Sequence, residues 1–352
     1  MKQAIQDDAV LEEKVETEAE APATPIVMDD SAAVLEEDNF NKDPHQQNKF
    51  ITFYNNQKGW LYLLPILVLL GIFTFYPIVR SIFYAFQNDY DAVAKSYDGW
   101  GIENFRYVFS YAKFTYALAN TLWFGLVSVP ISTLLALLIS VGLNSIKWLQ
   151  KAFQTVFFLP YLTNALAVGS VFASLFAVIG MVGNGANATA TSWGLINTMF
   201  GTKIDWLYAS KDNIVWNRIV VIIYEIWAGL PFKILIIFGA LQNVNKQYYD
   251  AAKIDCASRS TTLWKITVPL ISPMLSYLLI TGFIGGFKAY TAVVGIFGDI
   301  SGSYINTMVG FIYDMIGTGK TGVAAAGSLV LFAIILVFTL INLWVSKKRV
   351  HY

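Results

Sequence analysis

Six stretches of this chain are apolar over a length sufficient to cross a lipid bilayer. An α-helix rises ~1.5 Å per residue, so about 20 apolar residues cross the ~30 Å hydrocarbon core of a membrane. Helices satisfy their backbone hydrogen bonds internally, as lipid requires. The sequence therefore predicts an all-α polytopic membrane protein with six transmembrane helices. They are Trp60–Phe86, Ala117–Leu143, Gln154–Ile179, Ile214–Gln242, Ile266–Phe297 and Gly322–Ser346.

The composition excludes several other classes of protein. The chain is 56% hydrophobic and 14% charged, whereas soluble domains carry roughly 25% charged residues. Its single cysteine, Cys256, cannot form an internal disulfide, and only two histidines are present, His45 and His351. We therefore expect no compact soluble enzyme, no catalytic site, no metal site and no nucleic-acid partner.

The acidic residues are concentrated before the first apolar stretch. Residues 1–48 contain 13 acidic residues against three basic ones. This region has too little apolar surface to offset the entropy of ordering it. The sequence predicts a disordered acidic tail at 1–48, on the cytoplasmic side, and a transmembrane domain at 49–352. The tail is either a solvated extension or a docking arm for a basic partner.

Lysine and arginine in the connecting loops predict the orientation in the membrane. With the N-terminus in the cytoplasm, the inner loops hold twelve of these residues and the outer loops seven. Cytoplasmic loops carry the excess of Lys and Arg in membrane proteins. The distribution therefore favours both termini in the cytoplasm.

The connection between the fourth and fifth spans is unusually long. Helix connections in bundles commonly have about two to eight residues, whereas this one extends over about 243–265. Its pattern predicts a helix at Lys246–Ile254, a turn at Cys256–Ser258 and a second helix at Arg259–Thr267. A short helix–turn–helix outside the membrane has a shape that fits a groove on a cytoplasmic protein.

This connection resembles the EAA loop of ABC importer permeases. That pattern is Glu-Ala-Ala, two residues, Asp-Gly-Ala, and then Ile-Thr-x-Pro with a further proline. Here Tyr249–Ala257 reads YDAAKIDCA and Ile266–Pro269 reads ITVP, followed by Pro273. The similarity covers the chain from about residue 60 onward. Four further stretches are similar to the carbohydrate branch, that is, to maltose/maltodextrin and multiple-sugar permeases: Phe157–Tyr161, Trp193–Asn197, Ile226–Phe232 and Gly239–Gln242.

The resemblance implies a type I ABC importer permease fold and a set of partners. The coupling segment, about 243–268, would bind a cleft of a cytoplasmic ATPase dimer that carries ATP and Mg, so this chain would bind no cofactor. A second homologous permease and an extracellular solute-binding (lipo)protein complete the system in the plasma membrane of a prokaryote. The ATPase-coupling residues implied are Tyr249, Asp250, Ala251, Ala252, Asp255, Cys256 and Ala257.

Two residues depart from the family pattern. Asp250 replaces the usual Glu and shortens the carboxylate by one methylene, and Cys256 replaces the usual Gly. A cysteine is strained if that position needs a positive φ; otherwise it is a small residue at a turn. We expect replacement of Asp250 or Asp255 to damage transport more than expression.

The fourth and fifth spans contain candidate residues for a substrate path. Carbohydrate sites combine aromatic faces with many hydrogen bonds, and transporter sites lie where helices are interrupted. Glu225 is costly inside a span and is therefore either a ligand for sugar hydroxyls or a partner of a nearby lysine. Lys233 is expected to extend to the membrane interface. Resemblance to maltose-type permeases implies sugar contacts, with packing as the alternative, for Tyr161, Trp227, Gly229, Phe232, Gly286 and Phe287.

The function predicted is a permease subunit of an ATP-driven importer for a sugar, most simply an oligosaccharide. Two alternatives stay open. An ion-coupled secondary transporter would use Glu225 with Lys233 or Lys288, although no matching pair of interrupted segments supports it. An ABC permease for another polar solute, such as glycerol phosphate, would need more cationic groups along the path than Lys288 alone.

One short motif is a false match to a nucleotide site. Gly319-Lys320-Thr321 resembles the end of a P-loop, but the pattern requires glycine five residues earlier, where Asp314 stands. No strand is predicted before it. The chain therefore has no nucleotide site of its own at this position.

Overall fold

The computed structural model describes most of the chain beyond the acidic region. The chain divides between Thr74 and Phe75 into two compact units. In its described part, the first unit is the N-terminal portion of one apolar helix. The second unit contains the other elements described below. The expected acidic tail lies outside the described residues, which are 60, 62–90, 94–146, 150–182 and 189–349.

Helices make up most of the described chain. In order they are α1 (Tyr62–Phe86), α2 (Glu103–Ser110), α3 (Phe114–Ser145), α4 (Gln150–Phe158), α5 (Ala165–Phe176), α6 (Leu195–Phe200), α7 (Ile214–Gln242), α8 (Lys246–Ile254), α9 (Arg259–Thr262), α10 (Val268–Leu270), α11 (Ser272–Gly286), α12 (Thr291–Phe297), α13 (Met308–Gly317) and α14 (Thr321–Arg349).

Among the described residues, four helices are long and apolar enough to cross a membrane. These are α1, α3, α7 and α14, and each overlaps a predicted span. The bounds of α7 are those predicted from the sequence. Two further spans exist only if each of two bent helix pairs is one span. Four of the six predicted spans are therefore single helices, and the third and fifth predicted spans are each bent pairs.

The third predicted span is broken near Pro160. Thr155–Leu162 and Ala165–Phe176 meet at 102°. Pro160 lacks a backbone donor, and the chain forms a 3₁₀ turn at Leu159–Leu162 before it leaves the helix. Asn164 then starts a new helix, because its side chain accepts a hydrogen bond from the backbone N–H of Leu166 at 2.9 Å.

The fifth predicted span is broken by two prolines. Arg259–Leu270 and Ser272–Gly286 meet at 71°. Pro273 cannot donate to the carbonyl of Pro269, and the Ser272 hydroxyl donates to that carbonyl instead at 2.7 Å. The helix ends at Gly286, before the end of the predicted span at Phe297, and residues beyond it form the separate helix α12.

Two small hairpins correct the all-α prediction. Strands β1 (Gln87–Asn88) and β2 (Gly99–Trp100) pair antiparallel, as do β3 (Val178–Val182) and β4 (Thr189–Trp193). The first hairpin lies in the connection after the first predicted span, and the second begins at the end of the third predicted span and continues into the connection after it. The third and fourth strands contain Val, Ile, Thr and Trp, which favour extended backbone.

Helices α3 and α7 run parallel to each other along their length. Near their N-termini, Arg218 Nε donates to Asn120 Oδ1 at 2.7 Å. Near their C-termini, Ser140 Oγ donates to the carbonyl of Ile234 at 3.1 Å. The coupling segment follows the C-terminus of α7. It therefore lies at the opposite end of this helix pair from α2, which precedes the N-terminus of α3.

The outward faces of the long helices are apolar. Many large apolar side chains on these faces are exposed. Soluble monomers rarely expose extended apolar patches. Lipid or a partner subunit accounts for such a surface. Examples are Leu134, Leu138, Phe332 and Leu340.

Candidate functional site

The coupling segment folds as the sequence predicts. Helix α8 begins at an Asn245 cap, whose side chain accepts a hydrogen bond from the backbone N–H of Gln247 at 3.0 Å. The second helix begins at a Ser258 cap, which accepts from the N–H of Thr261 at 3.1 Å. A π-helical turn, Leu263–Thr267, then leads into the bent fifth span. The N-terminus of each of the two helices is therefore fixed by a capping side chain.

Cys256 adopts the left-handed conformation that ends α8. Its φ is +50°, and the backbone N–H groups of Cys256 and Ala257 donate to the carbonyls of Lys253 and Ala252 at 3.1 and 2.9 Å. This pair of bonds is the Schellman motif, in which glycine is the usual residue at the left-handed position. Of the two alternatives that the sequence left open for Cys256, the structure therefore has the positive φ, at which a side chain is strained.

Replacing Cys256 with Gly is expected to strengthen this helix end. A side chain in left-handed backbone costs roughly 1–2 kcal/mol, so the Gly variant gains about 1 kcal/mol. Hydrogen exchange at the amides of 256 and 257 then slows by about fivefold. Cys256→Ala keeps a Cβ and serves as the matched control, with exchange unchanged. Equal exchange in the Gly and Ala variants would show that the conformation carries no strain.

Helix α8 has one face toward the bundle and one toward solvent. Ala252 is buried, and Tyr249 is half-buried with its hydroxyl 3.4 Å from Thr267 Oγ1. The other predicted coupling residues divide between exposed positions and the half-buried turn residue Ala257. Exposed among them are Asp250, Ala251, Asp255 and Cys256.

Ile254 is a candidate coupling residue that sequence analysis missed. It is 83% exposed although it is a large apolar side chain. It lies four residues after Asp250, so the two share one face of α8. The signal in the sequence was weak, because an isoleucine within a short amphipathic helix is typical of a buried position.

Asp250 forms a surface ion pair within the same helix. Its Oδ1 accepts a hydrogen bond from Lys253 Nζ at 2.8 Å, and both side chains are mostly exposed. Exposed pairs of this kind contribute about 0–1 kcal/mol. The carboxylate is therefore available to a partner, and its removal costs the fold little.

Lys233 lies buried inside the helix bundle, 6% exposed. Its Nζ donates to the Ser132 hydroxyl and, at 3.2 Å, to the carbonyl of Val129. The expectation that this lysine extends to the membrane interface was wrong. Two oxygen acceptors on α3 lie within its reach and hold the ammonium group in the interior, where a charge is costly without such partners.

Glycines surround Lys233 where α3, α7 and α11 cross. A Cβ at Gly229 would lie 3.7 Å from Ser132 Oγ, and one at Gly282 would lie 2.7 Å from the Val129 side chain. A Cβ at Gly286 would lie 2.9 Å from the Cα of Gly125. These glycines allow the helix backbones to approach closely, as small residues do in membrane bundles.

The predicted path residues fall into three groups. Tyr161, which is exposed, stacks on Phe232 with ring centroids 5.8 Å apart, and so joins the broken third span to α7. Trp227 packs against a different aromatic residue, Phe172, with ring centroids 5.5 Å apart. Phe287 is fully buried in the core, with its ring 4.9 Å from another core aromatic, Phe338. The structure thus places Phe232 and Trp227 in separate aromatic clusters.

Glu225 lies on α7 seven residues before Phe232 and eight before Lys233. That spacing puts the three side chains on one broad face of the helix. Glu225 is half-buried, and within the described part of the chain no carboxylate lies within 4.0 Å of Lys233. The ion pair that an ion-coupled site would use is absent among these residues. The roles of Glu225 and of the six resemblance-based path residues stay predictions.

A polar network fixes the segment between α12 and α13. Asn120 Nδ2 donates to the carbonyls of Tyr304 and Asn306 at 2.8 and 2.7 Å. Asp314 accepts from the Ser301 hydroxyl and from Asn306 Nδ2 at 2.9 and 2.7 Å. Asp314, which breaks the P-loop pattern, therefore organises the loop between α12 and α13. This network was not predicted.

The false P-loop has a structural function. Helix α13, rather than a strand, precedes Gly319-Lys320-Thr321. Lys320 Nζ donates to the Tyr107 hydroxyl at 2.9 Å and lies over its ring. The preceding helix and the two contacts of Lys320 with Tyr107 are consistent with the rejection of a nucleotide site at this position.

The apolar spans, with a capped segment between the fourth and fifth of them, are those of a polytopic membrane protein. Residues 128–351 match the family model described as the inner membrane component of binding-protein-dependent transport systems. This match covers more than half of the chain, and the chain belongs to that family. The resemblance to ABC importer permeases found in the sequence is confirmed.

Relatives and a solved structure agree with this assignment. The chain is 30% identical to a probable ABC transporter permease, MG188, of Mycoplasma genitalium, over 79% of this chain and 82% of the relative. It is 28% identical to the lactose transport system permease protein LacF of Rhizobium radiobacter, over 84% of this chain and 96% of the relative. It also shares its fold with a chain of the bacterial alginate ABC transporter, solved in complex with alginate pentasaccharide-bound periplasmic protein. The TM-score is 0.67 at 21% identity, and the match covers 84% of this chain and 97% of that chain.

Proposed function

We propose that this chain is the membrane-spanning permease subunit of an ATP-driven sugar importer, with an oligosaccharide as cargo. It forms the translocation path together with a second homologous permease in the plasma membrane of a prokaryote. A cytoplasmic ATPase dimer supplies the energy and holds ATP and Mg. An extracellular binding protein delivers the sugar. The observation that carries the proposal is the capped, solvent-facing coupling segment in a chain of this family.

The coupling segment supports the ATPase partner. The face of this segment that points away from the bundle presents Asp250, Ile254 and Cys256 to solvent. It lies next to the C-terminus of the long helix α7. An apolar side chain flanked by a carboxylate is the kind of anchor that a groove on a partner binds. Movement of α8 would be transmitted directly to the fourth and fifth spans, because it connects them.

The identity of the cargo is supported by relatives and by the path. LacF is a lactose permease by name, and the structural neighbour was solved with a bound alginate pentasaccharide on its periplasmic protein. In this chain, exposed Tyr161 stacked on Phe232 offers an aromatic face, and Glu225 offers hydrogen-bond acceptors. Aromatic faces with adjacent polar groups suit sugar rings.

The arrangement of the helices supports six spans with both termini in the cytoplasm. Each bent pair counts as one span in this topology. The parallel direction of α3 and α7 agrees with it, since two spans separated by one other span cross in the same direction. The coupling segment then lies inside, and the loop organised by Asp314 lies outside.

The proposed outer side contains an open cleft for contact with the binding protein. It has a volume of about 910 Å³, and its charged lining residues are Asp89, Asp98, Glu103, Arg106 and Lys320. Glu103 pairs with Arg106 at 2.9 Å, whereas the two aspartates form no ion pair within the described residues. Basic side chains of a delivering protein would complement these two aspartates.

Uptake by the reconstituted importer tests the sugar assignment. Proteoliposomes that contain both permeases and the ATPase are expected to take up a neutral pentasaccharide when ATP and the binding protein are present. Tyr161→Ala is expected to lower uptake about tenfold, from roughly 1.4 kcal/mol of lost stacking. Tyr161→Phe keeps the ring and serves as the control. Uptake of glycerol 3-phosphate but no sugar would contradict the proposal.

A further inference from the structure

A cleft of about 380 Å³ lies between α8 and the C-terminal ends of α3 and α7. The long helices contribute Val141, Asn144 and Leu241, and the coupling segment contributes residues from both of its helices and from the π-helical turn. Sites for small ligands commonly have volumes of about 300–1,000 Å³. The cleft is therefore large enough for a headgroup-sized ligand.

The inner lining of the cleft combines apolar side chains with the hydroxyl groups of Tyr249, Thr262 and Thr267, and its edge is cationic. Leu241 and Ala252 are buried, and Leu263 is half-buried. Lys253 and Arg259 are exposed at the rim. A ligand that matches this arrangement has an anionic group next to a hydrocarbon portion.

No acidic residue lines the cleft among the described residues. Lys253 pairs with Asp250, which lies outside the lining. The Arg259 guanidinium forms no ion pair with the part of the chain that the structure describes. One cationic group therefore remains available for an anion, and a planar guanidinium suits the oxygens of a phosphate.

The cleft lies at the level where the apolar helices end. Helix α3 ends at Ser145 and α7 ends at Gln242, and the residues that these helices contribute to the cleft lie in their last turns. Lipid phosphates occupy this depth of a bilayer. Basic pockets between membrane helices on the cytoplasmic side bind anionic lipid headgroups.

We infer that this cleft binds the headgroup of an anionic phospholipid, with the phosphate at Arg259 and the first methylenes against Leu241 and Leu263. The bound lipid contacts the inward face of α8, whereas the proposed ATPase contact uses the outward face. Lipid and ATPase therefore bind the same helix together, and the lipid sets the position of α8 against the bundle. The inference depends on the proposed topology in one respect only: that topology places the bound lipid in the cytoplasmic leaflet.

Lipid retention by the purified importer tests this site. The complex is reconstituted in nanodiscs with equimolar phosphatidylglycerol and phosphatidylcholine, and the lipids released with the protein in native mass spectrometry are counted. Wild type is expected to retain phosphatidylglycerol. Arg259→Gln is expected to weaken retention about fivefold, the effect of one charge near the membrane surface. Lys265→Gln, an exposed charge outside the lining of the cleft, is the matched control and keeps the lipid.

Three results would overturn the inference. Equal retention in Arg259→Gln and Lys265→Gln would indicate diffuse attraction to a basic surface. Displacement of the lipid by millimolar inorganic phosphate would indicate a free-anion site. Retention by the permease that disappears when the ATPase is present would indicate that the ATPase fills the cleft. Retention is measured without transport, so failure of this site and failure of the sugar assignment are distinguishable.

Discussion

Ile254→Asp is expected to weaken binding of the ATPase to this permease by about 30-fold. The isoleucine is 83% exposed on the outer face of α8, where a partner groove would cover it. Burial of such a side chain contributes about 2 kcal/mol to the binding free energy, and the aspartate variant loses this contribution. The measurement is titration of the detergent-solubilised permease pair with purified ATPase in the presence of nucleotide.

Ile254→Leu is the matched control for this prediction, because it keeps the volume and the apolar character of the side chain. It is expected to bind the ATPase within about threefold of wild type. Both variants are expected to elute as folded protein, since the residue makes little contact with the bundle. ATPase binding that is unchanged in Ile254→Asp would exclude this face of α8 as the docking surface.

Gly169→Ala is expected to destabilise the permease by about 2 kcal/mol. Helix α5 crosses α12 at Gly169 and Gly295, and a Cβ at Gly169 would lie 2.7 Å from the backbone of Gly295. Backbone atoms cannot rotate away as a side chain does, so the helices must separate. The expected result is a melting temperature several degrees lower, and a lower yield, for purified protein at a fixed scan rate.

Gly142→Ala provides a control of opposite sign. Gly142 lies within α3, where a Cβ meets no atom within 4 Å, and alanine favours a helix over glycine by up to about 1 kcal/mol. This variant is expected to melt at the same or a slightly higher temperature. A Gly169→Ala variant as stable as Gly142→Ala would contradict the close approach of α5 and α12.

Local sequence signals predicted the elements that depend on local chemistry. Helix α7 and helix α8 have the bounds expected from the sequence, because hydropathy and helix formers decide them. The turn at Cys256 was expected for the same reason, whereas the sequence left open whether its φ is positive. These features depend on residues close together in the chain.

Features that depend on distant residues were not predictable in this way. The interior position of Lys233 requires acceptors on α3, which is about a hundred residues away in the sequence. The breaks at Pro160 and Pro273 were visible as prolines, but the angle of each bend depends on how the following helix packs. The exposure of Ile254 became apparent only when the opposite face of α8 was seen to contact the bundle.

Copurification from native membranes tests the central claim most directly. The tagged wild-type chain and Asp250→Lys are purified in parallel, and the proteins that accompany them are identified by mass spectrometry. Asp250 is exposed and its ion pair contributes little to the fold, so both chains are expected in similar amounts. Wild type is expected to carry a second permease and an ATPase, with the ATPase reduced in Asp250→Lys. A wild-type chain that purifies without any ATPase, and whose transport is lost with ionophores but not with ATP depletion, would contradict the account.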